Sequence, residues 1–248
     1  MSNMLRDNIG IVVSRQCTDD WKHVFVTNKV ADFNLTGTAG RFGSGYVCPL
    51  YLYKETLEGE VRIPNLNPDI VKQIEKSLGK QVEPQELFDY IYAVLHSPSY
   101  RERYKEFLKI DFPRIPYPTD AEAYHRLAEK GAALRRLHLM EGLPANTGVT
   151  FPQEGSEKVE CLRLEDDCVY INDVQYFEGV TEEAWNFYIG GYQPAQKWLK
   201  DRKGCTLSFE DVKHYQRIIY VLTQTAQIMN TIDEILFVSG NNRETGKK

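Results

Sequence analysis

Residues 190–204 have the sequence Gly190-Gly-Tyr-Gln-Pro-Ala-Gln-Lys-Trp-Leu-Lys-Asp-Arg-Lys-Gly204, and the rest of the chain can be interpreted as the scaffold that presents them. Two glycines and a polar Tyr-Gln pair predict a pliable loop. Pro194 suits the first turn of a helix and Gly204 suits a helix end. The segment carries four cations against one anion. It therefore predicts a short basic helix that binds an anionic polymer.

The bulk composition indicates a folded globular protein of one large domain or two small ones. The chain has 248 residues, of which 42% are hydrophobic, so it can bury a sizeable core. The net charge of −5 argues against a surface that binds nucleic acid everywhere, but it allows a local basic patch. No apolar run approaches the ~20 residues that span a bilayer, and no signal-peptide pattern is visible. We expect a cytoplasmic protein with no membrane partner.

The residue patterns predict an α+β fold, in which small antiparallel β-sheets or meanders pack with a helical subdomain and a long C-terminal helix. Strands are predicted at 10–14, 24–27 and 46–53, and a β-meander at 159–164, 168–171 and 174–177. Helices are predicted to begin at Pro68, Pro84, Pro98 and Asp120, and after Ser208. The last helix, of about 27 residues, has a capping box and is the clearest element.

The same patterns predict how the chain is divided. Residues 1–142 form an N-terminal β and helical part, and residues 143–157 form a polar linker. Residues 158–238 form the β-meander with the C-terminal helices, and residues 239–248 form a disordered tail.

We find no sequence pattern for catalysis or for metal binding. The chain lacks a P-loop, a G-x-S-x-G nucleophile elbow and a C-x-x-C pair, and its histidines form no H-x-x-x-H pattern. We therefore predict no catalytic residue and no metal site.

The candidate DNA-binding residues fall on two kinds of segment. The glycine-rich segment around Arg41 is either a DNA-contacting loop or a mobile connection between strands. The basic segment is the stronger candidate, although a solvated helix face is its alternative interpretation. The candidates for contacts with base edges are Arg41, Gln193 and Arg202, with Tyr192 beside them, and those for phosphate contacts are Lys197, Lys200 and Lys203. Weaker candidates are Arg15, Lys29 and Ser44, while Trp198 is predicted to be a core contact.

Three stretches resemble the C-terminal target-recognition region of type ISP restriction–modification enzymes. They are Tyr46-Val-Cys-Pro-Leu-Tyr-Leu-Tyr53, residues 88–116, and residues 190–203 followed by residues 207–215. The middle stretch, which begins Phe88-Asp-Tyr-Ile-Tyr-Ala-Val-Leu-His-Ser-Pro98, is the most specific. The resemblance extends from about residue 10 to residue 235, nearly the whole chain.

The resemblance implies that the chain recognises a DNA target and so directs adenine-N6 methylation. Its implied partners are double-stranded DNA and a methyltransferase domain or subunit. The Asn-Pro-Pro-Tyr motif and the glycine-bearing cofactor loop of that methyltransferase are not in this sequence. We therefore expect no cofactor in this chain and no enzymatic activity on its own, whereas S-adenosylmethionine is implied for the methyltransferase part.

Two other functions are compatible with the sequence. A protein-interaction or scaffold domain would dock a partner through its C-terminal helix, and an exposed apolar stripe on that helix would favour it. A stand-alone enzyme would need a deep pocket with converging polar groups of perturbed pKa.

Overall fold

A computed structural model describes residues 2–18, 20–32, 35 and 45–244, and it confirms the predicted α+β class. The strands are Gly10–Ser14 (β1), Val24–Thr27 (β2), Gly45–Pro49 (β3), Tyr51–Thr56 (β4), Gly59–Pro64 (β5), Arg163–Glu165 (β6), Cys168–Tyr170 (β7) and Tyr176–Glu178 (β8). The helices are Pro68–Leu78 (α1), Pro84–His96 (α2), Pro98–Arg103 (α3), Lys105–Leu108 (α4), Ala121–His138 (α5), Glu182–Asn186 (α6), Pro194–Lys200 (α7) and Phe209–Glu244 (α8), with a 3-10 turn at Ser2–Leu5. Within the described residues, no helix combines the length and apolar character that crossing a membrane requires.

The chain forms two compact units. Unit 1 comprises Met1–Leu139 and Ile228–Lys248, and unit 2 comprises Met140–Gln227. The long helix α8 therefore contributes residues to both. Residues 143–157, predicted to be a linker, belong to unit 2, where Thr150 pairs with Glu178 and the side chain of Gln175 accepts a hydrogen bond from the Glu157 backbone.

Unit 1 combines small sheets with packed helices. An antiparallel sheet has the order β2-β1-β3, and β4 pairs with β5 in a separate hairpin. The helices α2 and α5 pack so closely that a Cβ added at Gly131 would lie 1.8 Å from the carbonyl oxygen of Asp89. The buried carboxylate of Asp89 also accepts bidentate hydrogen bonds from Arg135, at 2.7 and 3.1 Å. These contacts fix the α2–α5 interface, whose buried residues belong to the core of unit 1.

Local chemistry explains where the helices of unit 1 begin and end. The side chain of Asn67 accepts hydrogen bonds from the backbone of Asp69 and Ile70, which caps α1. Gly79 ends that helix with φ of 67°, a left-handed conformation that favours glycine. Asp120 caps α5 through the backbone of Ala123.

Three predictions in unit 1 need correction. The single strand predicted at 46–53 is interrupted at Leu50 and forms β3 and β4, which belong to different sheets. The sequence prediction missed β5, although Glu60-Val-Arg-Ile63 alternates between polar and apolar residues as a strand does. The third predicted helix is broken at Tyr104 into α3 and α4.

Unit 2 is built on a three-stranded antiparallel meander in the order β6-β7-β8. Its core contains Val159, Val169, Ile171, Phe177, Leu199, Tyr215, Ile219 and Leu222. The turn between the last two strands is longer than the predicted two-residue turn at Asn172-Asp173. The side chain of Asn172 accepts hydrogen bonds from the backbone of Val174 and Gln175, so residues 171–175 form the connection.

The predicted capping box at the start of α8 is confirmed. The hydroxyl of Ser208 accepts a hydrogen bond from the backbone of Asp211, and the Asp211 carboxylate accepts one from the Ser208 backbone. The helix extends to Glu244, beyond the predicted end near residue 235. Its backbone thus includes residues 239–244, for which the sequence predicted disorder, while residues 245–248 lie outside the described residues.

Candidate nucleic-acid interface

The glycine pair at the start of the basic segment forms a tight turn, and this corrects the prediction of a pliable loop. The backbones of Ile189 and Tyr192 exchange two hydrogen bonds, at 3.0 and 3.4 Å. Gly190 lies between them with φ of 58°, which a residue with a Cβ adopts at a cost. The turn therefore fixes where the backbone of Tyr192 leaves it.

Tyr192 is 40% exposed, so a ligand can reach this residue. Partial burial raises the pKa of Tyr192, and the positive charge of Lys197 opposes this shift. The phenol is therefore protonated at neutral pH and can both donate and accept a hydrogen bond.

Gln193 is held by the end of α6. Its Nε2 atom donates to the backbone oxygen and the side-chain Oδ1 of Asn186, at 3.4 and 3.3 Å. Adenine recognition by glutamine uses both the amide oxygen and the amide nitrogen. Gln193 would therefore have to exchange its long bonds to Asn186 for bonds to a base.

The lysines of α7 are exposed, and both have partners within the helix. Lys197 forms an ion pair with Asp201 at 2.7 Å, and Lys200 donates to Oε1 of Gln196 at 3.0 Å. Ion pairs between exposed side chains contribute only ~0–1 kcal/mol, so a phosphate could displace them. Because Asp201 stays nearby, the net positive charge of α7 is smaller than its lysines suggest.

Arg202 is more tightly held than the prediction of a base contact implies. Its guanidinium group lies over the Trp198 ring, with Cζ 3.5 Å from the ring centroid. Its Nε and Nη1 atoms donate to Asp211 and to the Trp198 carbonyl oxygen, at 3.4 and 3.2 Å. These contacts order the turn between α7 and α8.

Trp198 packs against the core of unit 2, as predicted. Its ring centroid lies 5.4 Å from that of the buried Tyr215 and 5.8 Å from that of His214. The neighbouring Leu199 is fully buried. One side of α7 is thus fixed in the core, and the exposed Lys203 follows at its end.

The other candidates lie elsewhere in the chain. In unit 1, the exposed Arg15 pairs with Asp111 at 3.5 Å and lies near the Phe112 ring, with Cζ 5.9 Å from its centroid. Lys29 is exposed in the turn after β2. Arg41 and Ser44 lie outside the described residues. The structure thus brings Tyr192, Gln193, Lys197, Lys200, Arg202 and Lys203 together in unit 2, and places Arg15 and Lys29 in unit 1.

The sequence prediction missed three basic residues at the start of α8, namely Lys213, His214 and Arg217. All three are exposed, and contacts through Trp198 connect His214 to Arg202. The sequence did contain a signal for Lys213 and Arg217, because residues that are four apart on a capped helix share one face. The described residues contain no group of three or more His, Cys, Asp or Glu side chains arranged to hold a metal ion.

Comparisons with known proteins point to one family. A family model described as the Type ISP C-terminal specificity domain matches residues 1–231. The ATP-dependent Type ISP restriction-modification enzyme LlaBIII bound to DNA is similar to 92% of this chain, with a TM-score of 0.70 and 18% identity. The DrdV–DNA complex matches 92% of the chain with a TM-score of 0.66 and 22% identity. A nuclease-deletion mutant of the Type ISP enzyme LlaGI, in complex with a DNA substrate mimic, also matches 92%, with a TM-score of 0.63 and 19% identity.

These similarities concern one part of much longer proteins. The chain spans 16%, 24% and 21% of the LlaBIII, DrdV and LlaGI chains, respectively. No curated protein sequence matches it. At such low identities the structural similarity shows a shared fold, while the family match confirms the resemblance predicted from the sequence.

Proposed function

The chain belongs to the family of Type ISP C-terminal specificity domains, and we propose that it recognises a specific sequence in double-stranded DNA for a restriction–modification enzyme. The observation that carries this proposal is the arrangement around α7 in unit 2. There an exposed tyrosine and an accessible glutamine lie next to exposed cations on a helix anchored in the core. Side chains such as tyrosine and glutamine can distinguish bases, and cationic side chains hold phosphates.

The roles of the individual side chains follow from their chemistry. Gln193 and Tyr192 are the proposed contacts with base edges, because each offers a donor and an acceptor. Lys197, Lys200 and Lys203 are the proposed phosphate contacts. Arg202 positions this surface through Trp198 and Asp211. Arg15 and Lys29 in unit 1, with Arg41 and Ser44, remain proposed contacts as well.

In this proposal, the chain recognises the DNA sequence and contributes no group to the chemical reaction. Adenine-N6 methylation would be carried out by a methyltransferase domain or subunit, with S-adenosylmethionine as the methyl donor held by that partner. A base inside a duplex is inaccessible to such chemistry, so the target adenine would be flipped out of the stack. The proposed role places the chain with its DNA in the cytoplasm.

The structure offers little support for the alternative of a scaffold that docks a partner through its C-terminal helix. The apolar residues Tyr215, Ile219 and Leu222 of α8 lie in the core of unit 2, and Ile232 and Ile235 lie in the core of unit 1. Among the described side chains of α8, Phe209 is the large apolar one that is exposed. A single exposed aromatic residue is not an apolar stripe.

Selection of bound DNA from a library of randomised duplexes tests the proposal. The full chain is incubated with the library, and the bound duplexes are recovered, amplified and sequenced over several rounds. We expect one short sequence to become enriched. Binding without enrichment would mean that only the DNA backbone is contacted, and absence of binding at low salt would overturn the DNA-binding function itself.

A further inference from the structure

The first three turns of α8 carry cations in addition to those of the α7 segment. Lys213 and Arg217 are four residues apart, so they lie on the same face of the helix. The rise between them along the helix axis is about 6 Å. His214 lies between them, and all three are exposed. Within the described residues, neither Lys213 nor Arg217 forms an ion pair, unlike Lys197 of α7.

The cations of α8 lie close to those that follow α7. Arg202 and His214 both contact the ring of Trp198. The pKa of His214 is lowered by partial burial and by the nearby positive charges of Arg202 and Arg217. The lowered pKa leaves His214 uncharged at neutral pH. The structure thus gathers cations that are distant in sequence around His214 into one cationic patch, which we define as Arg202, Lys203, Lys213 and Arg217.

Nearby acids only partly neutralise this patch. Asp211 is occupied by hydrogen bonds from Ser208 and Arg202, which hold its pKa below the ordinary value. Glu210, one turn before His214, is the other acid in the first two turns of α8. The cations therefore outnumber the acids, in a chain whose net charge is −5.

An exposed aromatic ring holds one of these cations in place. Phe209 is 69% exposed, and Nζ of Lys213 lies 4.2 Å from its ring centroid. A cation placed over an aromatic face is attracted to it and loses conformational freedom before any ligand binds. Less entropy is then lost when the ammonium group contacts a phosphate.

We propose that Lys213 and Arg217, within this cationic patch, contact the phosphates of bound DNA, an inference that rests on the proposed function. Phosphate contacts determine the position and register of a protein on a duplex without selecting its sequence. The start of α8 would then fix the register in which Tyr192 and Gln193 meet the bases.

The test is DNA binding by the full chain, measured by fluorescence anisotropy on a labelled duplex of non-target sequence between about 50 and 200 mM salt. The test variant is Lys213→Ala combined with Arg217→Ala. The matched control is Lys158→Ala combined with Arg163→Ala, which removes the same charges from exposed residues of unit 2 that each pair with an acid. A further variant, Lys213→Arg combined with Arg217→Lys, keeps the charges.

We expect the test variant to bind about tenfold more weakly per removed cation at 0.1 M salt, and its salt slope to be shallower by about 2, because each phosphate contact contributes ~0.9 to that slope. The control and the charge-keeping variant should stay within about threefold of the wild-type chain. If the wild type binds and the test variant matches the control, the inference about α8 is wrong while the proposed function stands. If the wild type binds no duplex at low salt, both the inference about α8 and the proposed function are wrong.

Discussion

The guanidinium group of Arg202 is stacked on the indole ring of Trp198, with Cζ 3.5 Å from the ring centroid. The same side chain donates to the carboxylate of Asp211, which also accepts hydrogen bonds from Ser208. Arg202 therefore connects the end of α7 with the capping box that starts α8. These contacts hold the end of α7 against the start of α8, and the sequence alone could not reveal them.

Replacing Arg202 should therefore destabilise unit 2. The side chain of Arg202 is 33% exposed, so its ion pair with Asp211 is screened, and we expect Arg202→Ala to lower the free energy of unfolding by ~1–2 kcal/mol, mainly through the lost stacking. Urea unfolding followed by tryptophan fluorescence measures the effect. Lys203→Ala is the control, with an expected change within about 0.5 kcal/mol. Equal midpoints for the two variants would refute the positioning role.

The close approach of α2 and α5 makes a second prediction possible. Alanine is a better helix former than glycine by about 1 kcal/mol, so propensity alone predicts that Gly131→Ala stabilises α5. However, the added Cβ would lie 1.8 Å from the carbonyl oxygen of Asp89, and overpacking of this kind costs ~1–3 kcal/mol or more. We expect net destabilisation in thermal or urea unfolding.

The control for Gly131→Ala is the neighbouring Ala132→Gly. Ala132→Gly should lower the free energy of unfolding by about 1 kcal/mol, which is the effect of helix propensity alone. Stabilisation by Gly131→Ala would show that α2 and α5 are not packed as closely as the structure has them.

A buried cluster in unit 1 should make stability depend on pH. The hydroxyl oxygen of Tyr92 lies 2.6 Å from Nδ1 of His138, and Nδ1 of the buried His96 donates to the Tyr92 carbonyl oxygen at 2.8 Å. Burial and the positive charge of Arg101 lower the pKa of His138 to about 4, and they lower that of His96 well below its ordinary value. Both histidines are therefore neutral in the folded protein at neutral pH.

The unfolded histidines bind protons near pH 6.5, whereas in the folded protein His138 has a pKa of about 4 and the pKa of His96 lies well below its ordinary value. Their contribution to stability is thus fully present above pH 6.5 and is lost as the pH falls toward 4. We expect the free energy of unfolding to fall by ~1–3 kcal/mol between about pH 7 and 5. His138→Gln should make this dependence shallower. The exposed His125→Gln should leave it unchanged, and identical pH profiles for the two variants would contradict this assignment.

Much of the fold could be predicted because its signals are local. Side-chain caps such as Asn67 and Asp120 mark helix starts through hydrogen bonds to the next few residues, and both helices begin where predicted. The runs that became β1 and β2 are short, β-branched and bounded by turns, so they too were predicted. The interruption at Leu50 was not predicted, because a long apolar run does not show where a chain moves from one sheet to another.

The candidate site was predicted only as a segment. The sequence located the basic helix and its anchor Trp198, but it treated Arg202 as a base contact and the glycines as a pliable loop. Whether an arginine is available depends on contacts with residues such as Asp211, which belongs to another helix. The exposed Arg217 was missed as a candidate for the same reason, since charge counted along a segment does not show which segments the fold brings together.

The role proposed for Gln193 predicts a loss of discrimination. After a target has been selected, Gln193→Ala should lower the preference for adenine at one position by about 10- to 100-fold, as expected for a bidentate contact worth ~1–3 kcal/mol. Binding to non-target duplexes should stay the same. Affinity measurements on target duplexes with single substitutions test this, with the exposed Gln153→Ala as the control. Discrimination retained at every position would remove Gln193 from the base contacts.

The most direct test of sequence recognition is the ratio of two affinities of the full chain at a fixed salt concentration. One is the affinity for the selected target duplex, and the other is the affinity for a duplex of the same composition in scrambled order. Specific DNA-binding proteins favour their sites by a factor of about 10³ or more, and we predict a ratio in that range. A ratio near one across the salt range would contradict the proposal that this chain recognises a DNA sequence.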